Sequence, residues 1–482
     1  MTLHAVDWAI IVAYLSGMIA VGYAVSGRIR AFRDFFVAGR ALTAPILICT
    51  LVSSYYGLDA LFGDSGDAAR DGAVVWFTYG RPYSLALLVA ALLLARRLQA
   101  VDALSIADVL ALHYGRPTQV AGAIASFLYA LPILGIMGLA AMGQVLFGWP
   151  LWIGAVVGSG VALVYVLMGG FWADVLTDTV QFLIMCLSLA IAVPLVMSAV
   201  GGFEGVRAAL GEGALSPLGT VPPLYSLAFA LTALSVLVEP LFYQRIFAAR
   251  DAGAVRRAFL WGIVLWAAYD WATTAIGMAG GALMAAGVLA VDTPRDQVLL
   301  RVVTMYLPLG LSGFFLGGCL AAAMSTIDSY LLVAAGNLVY DIYRPVAAPC
   351  ADDRTLIRYT RMAMVVSAAV CVVIALYFER IKEAWNFMAT VLTSTLLVPV
   401  LAALWLPGRR RPLEGTLSSC GGLLAVTVFF GVMHVWGVPE AELETLRITV
   451  GGMDVLREYA LFAALPVSVA GFGAGAWLAR RR

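Results

Sequence analysis

The chain has 482 residues, of which 62% are apolar and only 12% charged, about half the charged share of an ordinary soluble protein. Net charge is +1, so no bulk field points to nucleic acid. Apolar runs about 20 residues long recur from end to end, each long enough to cross a bilayer, and the chain reads as an all-α integral membrane protein, one domain over residues 1–482.

Hydropathy predicts about 13 spans. The first covers about 5–26; it lacks a basic leading segment and is expected to be retained rather than cleaved as a signal. The next five lie near 42–62, 73–95, 118–146, 150–169 and 172–199. Five more follow near 225–243, 258–288, 308–340, 359–378 and 385–406, and two near 417–437 and 457–478 close the chain. The longest loops, about 200–224 and 438–456, are too short for a soluble domain, and no signalling module is appended.

Placing the N-terminus outside puts 21 of the 30 Lys and Arg residues in inside loops. They are Arg28, Arg30, Arg33 and Arg40; Arg96, Arg97 and Arg116; Arg245, Arg250, Arg256 and Arg257; Arg344, Arg354, Arg358 and Arg361; Arg409 to Arg411; and Arg480 to Arg482. Arg207, Arg295 and Lys382 fall outside or near outer span ends. The expected location is the plasma membrane, the inner membrane of a bacterial cell, with the C-terminus in the cytoplasm.

The second span is the least suited to lipid. It runs Thr50-Leu-Val-Ser53-Ser54-Tyr-Tyr56-Gly57-Leu-Asp59-Ala-Leu-Phe-Gly63-Asp64-Ser-Gly66-Asp67. Three glycines and several acids suit a discontinuous helix lining a cavity, where unwound backbone offers carbonyls to a cation. Asp59 is read as facing that cavity; for Asp64 and Asp67 a solvated outer end is an equal alternative. The seventh span holds Val238-Glu239-Pro240, a charge beside a helix breaker. Two interrupted spans, five apart, mark inverted repeats: spans 2–6 (about 42–199) and 7–11 (about 225–406), with the first span and the last two (417–478) as additions. In the ninth span Ala322, Ser325, Thr326 and Ser329 share one face by i, i+3, i+4, i+7 spacing. Their hydroxyl and carbonyl oxygens suit a hard cation such as Na⁺, although a Ser/Thr face also glues membrane helices together. Asp178 in the sixth span is a further buried carboxylate.

Other signals carry less. The six cysteines lie mostly in apolar runs, never as CxxC, and read as packing residues; the three histidines are scattered, so no transition-metal site is expected. Gly63-Asp-Ser-Gly66 matches a protease nucleophile string, but no histidine serves it and it lies in a membrane helix. Gly158-Ser-Gly160 and Gly471-Phe-Gly473-Ala-Gly475 follow no strand and read as packing faces, and Trp152 and Trp436 as interface anchors. No nucleophile–base pair is found, so no enzyme activity and no organic cofactor are expected.

Four stretches in order resemble one known family, the sodium:solute symporters, over about residues 5–410. They are Asp34-Phe-Phe-Val-Ala-Gly39-Arg40, Tyr165 to Gln181 with Gly169-Gly170 and Thr177-Asp178, Gln244-Arg245-Ile-Phe-Ala248-Ala249, and Ala323-Met-Ser325-Thr326 to Asp341-Ile-Tyr343. The resemblance implies a LeuT-like fold with inverted five-helix repeats, two discontinuous helices and alternating access. It implies a sodium site from the Ser53, Tyr56 and Ala322 carbonyls with the Ser325 and Thr326 hydroxyls. It also implies that Asp178 lies on a sodium exit route or, in some members, in a second sodium site with Ser325, Asp328 and Ser329. Asp328 departs from the hydroxyl of the two-sodium members. Sugar carriers have Asn where Glu239 stands, and proline carriers have Trp near position 59, so neither substrate pattern matches. Asp59, Glu239 and Asp270, with Tyr83 or Arg81, are candidates to hold an amine or other cationic or hydroxylated solute; the alternative is that these acids pair among themselves or with Arg81. The expected function is sodium-coupled symport. The rivals are a proton-coupled carrier using Asp178 and Asp328, and a solute-sensing membrane protein.

Overall fold

The computed structural model describes residues 4–25, 31–219, 222–378, 381–406, 412–440 and 445–481. Arg28, Arg30, Arg409 to Arg411 and Arg482 of the inside clusters lie outside the described residues. The described chain is a bundle of long apolar helices. Those used below are α1 (Ala5–Val25), α2 (Ala44–Tyr55), α3 (Asp59–Asp71), α4 (Trp76–Gln99), α5 (Arg116–Tyr129), α6 (Ile133–Phe147) and α7 (Leu151–Ala199). After a peripheral segment come α8 (Pro223–Thr232), α9 (Pro240–Ala248), α10 (Ala252–Ala285), α11 (Leu311–Gly336) and α12 (Asp353–Ala375). The chain closes with α13 (Ile381–Trp405), α14 (Pro412–Trp436) and α15 (Ala460–Arg481).

Among the described residues, ten helices are long and apolar enough to span a membrane, and eleven when α2 and α3 count as one bent span. The expected count of 13 is therefore not reached on length and apolarity. α7 is one 49-residue helix bent at Gly170 (φ 52°, ψ −148°), and its first limb is only a shorter apolar helix, Leu151–Val164. Gly170 is required there, because a Cβ would lie 2.5 Å from the Phe35 ring. α10 is long enough but carries Tyr269, Asp270, Thr273 and Thr274 in its middle, which lowers its apolarity.

Burial ranks the helices. The span built on α11 has 94% of its apolar window inside the protein, against 28% for α1 and α14 and 22% for the last helix. Helices facing only other helices can carry Ser, Thr and Asp; helices facing lipid cannot. The all-α expectation needs one amendment. Between α14 and α15 a small antiparallel sheet forms, β1 (Val438–Glu440), β2 (Thr445–Val450) and β3 (Met453–Leu456). Gly451 and Gly452 turn β2 into β3 with positive φ at both positions, the geometry a two-residue hairpin demands.

Both helix breaks fall where expected. α2 ends at Tyr55, Tyr56 takes a non-helical conformation (φ −96°, ψ 71°), and α3 resumes at Asp59 with the axis turned by 56°. α8 tightens into a 3₁₀ stretch, Ala233–Val238, then opens at Glu239 (φ −65°, ψ 114°) before Pro240 starts α9. Proline is favourable there, because a first-turn residue has no intrahelical use for its N–H. Backbone bonds from Leu42 to Ala248 (3.1 Å) and from Arg250 to Leu42 (2.9 Å) tie the start of α2 to the end of α9.

Candidate functional site

Past the Tyr56 N–H bond to the Val52 carbonyl (3.2 Å), the break in α2 leaves the Ser53 carbonyl without a helical partner. α11 supplies hydroxyls to meet them. Ser325 Oγ donates to the Ser53 carbonyl at 3.0 Å and to the Ala322 carbonyl at 3.2 Å, and Thr326 Oγ1 donates to the Ala322 carbonyl at 2.9 Å. Ser53 and Ser325 are fully buried and Thr326 is 7% exposed. Tyr56 lies at the break itself, its hydroxyl donating to the Trp266 carbonyl at 3.1 Å. Four of the five expected ligands are thus joined by hydrogen bonds, and the fifth lies at the adjoining break. Gly57 closes the gap between the two helices. A Cβ there would lie 2.8 Å from Thr326 Oγ1 and 2.4 Å from an Asp59 carboxylate oxygen, so Asp59 and Thr326 flank the same point.

One turn further into α2 and α11 lies a second polar cluster of different make-up. Arg245, expected in an inside loop, is instead fully buried within α9. The loop reading fails because α9 packs back into the bundle rather than ending at the membrane surface. The guanidinium reaches Ser54 Oγ (2.6 Å), Ser329 Oγ (2.8 Å), Asp178 (3.3 Å) and Asp174 (3.4 Å) through Nη2, and Thr50 Oγ1 (3.2 Å) through Nε. Thr50 and Ser54 both donate to Asp178, and Ser329 donates to Asp174 at 2.6 Å. Asp178 and Ser329, expected together, are together. Asp328 is buried beside them, its carboxylate accepting the Ser329 backbone N–H at 3.0 Å. Asp174, not among the expected site residues, lies in the Tyr165–Gln181 stretch, and its i, i+4 spacing with Asp178 in one apolar run is its signal in the sequence.

A cavity opens beside Thr326. Asp59, Tyr83 and Asp270 border it, as expected, and so do Asp64 and Asp67. Asp270 is held by Arg81 at 2.7 Å, and Arg81 stacks over Trp76 at 4.1 Å, so this acid takes the alternative reading. Tyr83 bonds Thr232 across to α8 at 2.9 Å. Glu239 is buried behind the wall rather than on it: Tyr330, which borders the cavity, donates to its Oε1 at 3.2 Å. At the far end of α3, Asp67 pairs with Arg295 (2.7 Å) and Lys382 (2.5 Å), and Lys382 lies over the Tyr79 ring at 3.6 Å. Asp67 is therefore an ion-paired group at the cavity's rim.

The sequence profile of the sodium:solute symporter family matches residues 35–419. The chain belongs to the sodium:solute symporter family. The symporter is 26% identical over 491 residues to the sodium/pantothenate symporter of Escherichia coli (strain K12), covering 96% of this chain and 91% of that one. It is 25% identical over 380 residues to the osmoregulated proline transporter OpuE of Bacillus subtilis (strain 168), covering 75% and 76%. A Na⁺-coupled sialic acid symporter, solved with substrate in an outward-open state, superposes with a TM-score of 0.80 over 98% of both chains at 14% identity, which shows the fold. This is the LeuT-like architecture the motifs implied. Membership makes the symporter a multi-pass membrane protein of a family that couples small solutes to sodium.

Proposed function

We propose that one Na⁺ binds where α2 breaks against α11, held by the Ser53, Tyr56 and Ala322 carbonyls and the Ser325 and Thr326 hydroxyls, and that the solute occupies the adjoining cavity. The observation that carries this is the hydrogen bond from Ser325 to the freed Ser53 carbonyl, which brings neutral oxygens of two helices to one buried point. Neutral hard oxygens suit Na⁺, and the carbonyl end of α2 adds a favourable dipole. Asp59 and Thr326 flank Gly57, so an ion at Thr326 is felt electrostatically by a solute at Asp59. That shared edge supplies the coupling: each ligand stabilises the arrangement the other needs.

The two breaks, five spans apart, support two inverted repeats, about 42–199 and 225–406, that rock against each other for alternating access. The Asp67–Arg295–Lys382 network at the rim is the natural outer gate. It agrees with an outside N-terminus, a cytoplasmic C-terminus and a plasma-membrane location, and moving Arg245 into the core removes only one residue from the inside count.

A second reading attaches to the Arg245 cluster. Two carboxylates face one guanidinium, and Asp178 Oδ1 has no hydrogen-bond partner among the described residues. This favours a second cation, or a proton, held at Asp178 with Ser329 and Asp328.

Thermal unfolding of the purified protein in detergent, titrated with NaCl against KCl, tests both. Na⁺ at a hundred times its Kd stabilises by about 2.7 kcal/mol. Thr326→Ala is expected to weaken apparent Na⁺ affinity about tenfold, a loss of about 1.4 kcal/mol, while Thr326→Ser retains it. Sodium dependence unchanged in Thr326→Ala removes Thr326 from the site. A Na⁺ response that is cooperative in the parent and simple in Asp178→Asn supports the second cation.

A further inference from the structure

The charges around the cavity do not balance. Asp270 is neutralised by Arg81, and Asp67 by Arg295 and Lys382. Asp59 and Asp64 also border the cavity, and neither has an ion-pair partner among the described residues. Lys382, the cation on the wall, is already engaged by Asp67 and by the Tyr79 and Phe229 rings. The local backbone brings the two acids together. Residues Asp59–Asp64 form a π-type turn, in which i→i+5 bonding stacks positions five apart that an ordinary α-helix would splay. One Na⁺ beside Thr326 offsets one of these two charges and leaves the other.

The remaining wall suits a positive guest. Tyr55, Tyr56, Tyr83, Tyr129, Tyr330 and Trp266 all border the cavity. Several are already packed ring against ring, as Tyr55 on Trp266 at 5.4 Å, so their faces are fixed in advance. Aromatic faces attract cations, most strongly where water is excluded. Trp266 adds an independent feature: it is 3% exposed, and its indole N–H has no acceptor among the described residues. A buried donor without an acceptor is costly unless a guest supplies one.

We propose that the solute is an organic cation carrying a hydrogen-bond acceptor, with its ammonium or guanidinium group held by Asp59 and Asp64 against the aromatic wall and its acceptor meeting Trp266. This rests on the reading that the cavity holds the transported solute. A hydroxyl suffices as the acceptor; a carboxylate would return negative charge to a site already in excess of it.

The test is a thermal-shift titration in detergent with saturating NaCl. The probes are choline, ethanolamine and 3-guanidinopropan-1-ol, each a cation with a hydroxyl, set against 3,3-dimethylbutan-1-ol (the uncharged carbon copy of choline), glycine betaine, glucose and propionate. At least one of the three cations is expected to stabilise at concentrations about tenfold or more below any other probe. Asp64→Asn is expected to weaken that cation about tenfold and leave stabilisation by Na⁺ alone unchanged. Preferential stabilisation by an uncharged, zwitterionic or anionic probe, or by no cation in the panel, overturns the proposal. Stabilisation by Na⁺ alone, and its loss in Thr326→Ala, is recorded in the same plates. It reports on the transport reading separately, so the substrate class can fail while sodium binding stands.

Discussion

The last turn of α2 presents two polar clusters to α11, one residue apart, and they differ in what they already contain. Ser53 faces Ser325 in a cluster of hydroxyls and carbonyls. Ser54 faces Ser329 in a cluster that holds a guanidinium and two carboxylates. The first has ligands and no charge of its own; the second carries its principal cation covalently. A mobile ion gains most in the first, where oxygens are gathered without a resident charge to repel it. In the second, Arg245 braces α9 against α2, α7 and α11. On the sodium site proposed above, one helix face divides its labour between binding and bracing, with the boundary between Thr326 and Ser329.

If that division is correct, the bracing cluster matters most to stability. Removing one partner from a buried ion pair leaves a charge uncompensated, at a cost of about 3–5 kcal/mol. Arg245→Met is expected to lose that much in thermal or denaturant unfolding in detergent, and adding Asp178→Asn to recover part of it. A loss under about 1 kcal/mol would show that the cluster is wet or already protonated, and the contrast with its neighbour would collapse.

Gly57→Ala comes next. The new Cβ would lie 2.4 Å from Asp59 and 2.8 Å from Thr326, closer than van der Waals contact allows. Overpacking costs about 1–3 kcal/mol, a smaller stability loss than at Arg245. The same intrusion lies between the ion's ligand and the cavity's acid, so Na⁺-dependent stabilisation should disappear with it. Retention of a normal sodium response would sharpen the comparison differently, by placing the ion deeper in α11 and away from the break.

The hydroxyls of the first cluster and the break beside it are legible from local chemistry; in the second, Asp178 and Ser329 are legible through the family motifs and Arg245 and Asp174 are not. Tyr56-Gly57 between apolar runs, followed by acids, announces a broken helix because lipid tolerates neither. Ser325 and Thr326 announce themselves by helical spacing. Arg245 misleads because the positive-inside argument counts an arginine by its distance from a span's end. It cannot see that α9 folds inward to meet Asp174 and Asp178, about 70 residues earlier in the chain. Which acids remain unpaired was hidden for the same reason: Asp270 and Asp67 look like Asp59 and Asp64 in sequence, and only the packing of α4, α10 and α13 supplies their partners. The sheet at 438–456 looks like loop in the sequence because strands of three to six residues carry little periodicity.

The smallest effects belong to charges left in water. Asp251 caps α10 by accepting the Ala254 N–H at 2.8 Å, and Asp352 caps α12 by accepting the Thr355 N–H at 3.1 Å. Bonding to the Ala254 amide, helped by Arg250, holds the Asp251 carboxyl below its usual range; the Thr355 hydroxyl and amide do the same for Asp352. A carboxyl depressed in the folded state contributes stability that is fully present above its ordinary pKa and is lost as pH falls through the depressed one. Between neutrality and about pH 4 these caps should therefore add no pH dependence, and their contribution should fade only below that. Asp352→Asn keeps an acceptor for the helix end and removes only the titrating charge. Its melting curve should match the parent at pH 7 and part from it only in strong acid. A shift at pH 7 as large as that of Arg245→Met would mean that position in the membrane does not decide what a charge is worth, and the contrast between the two clusters would lose its physical basis.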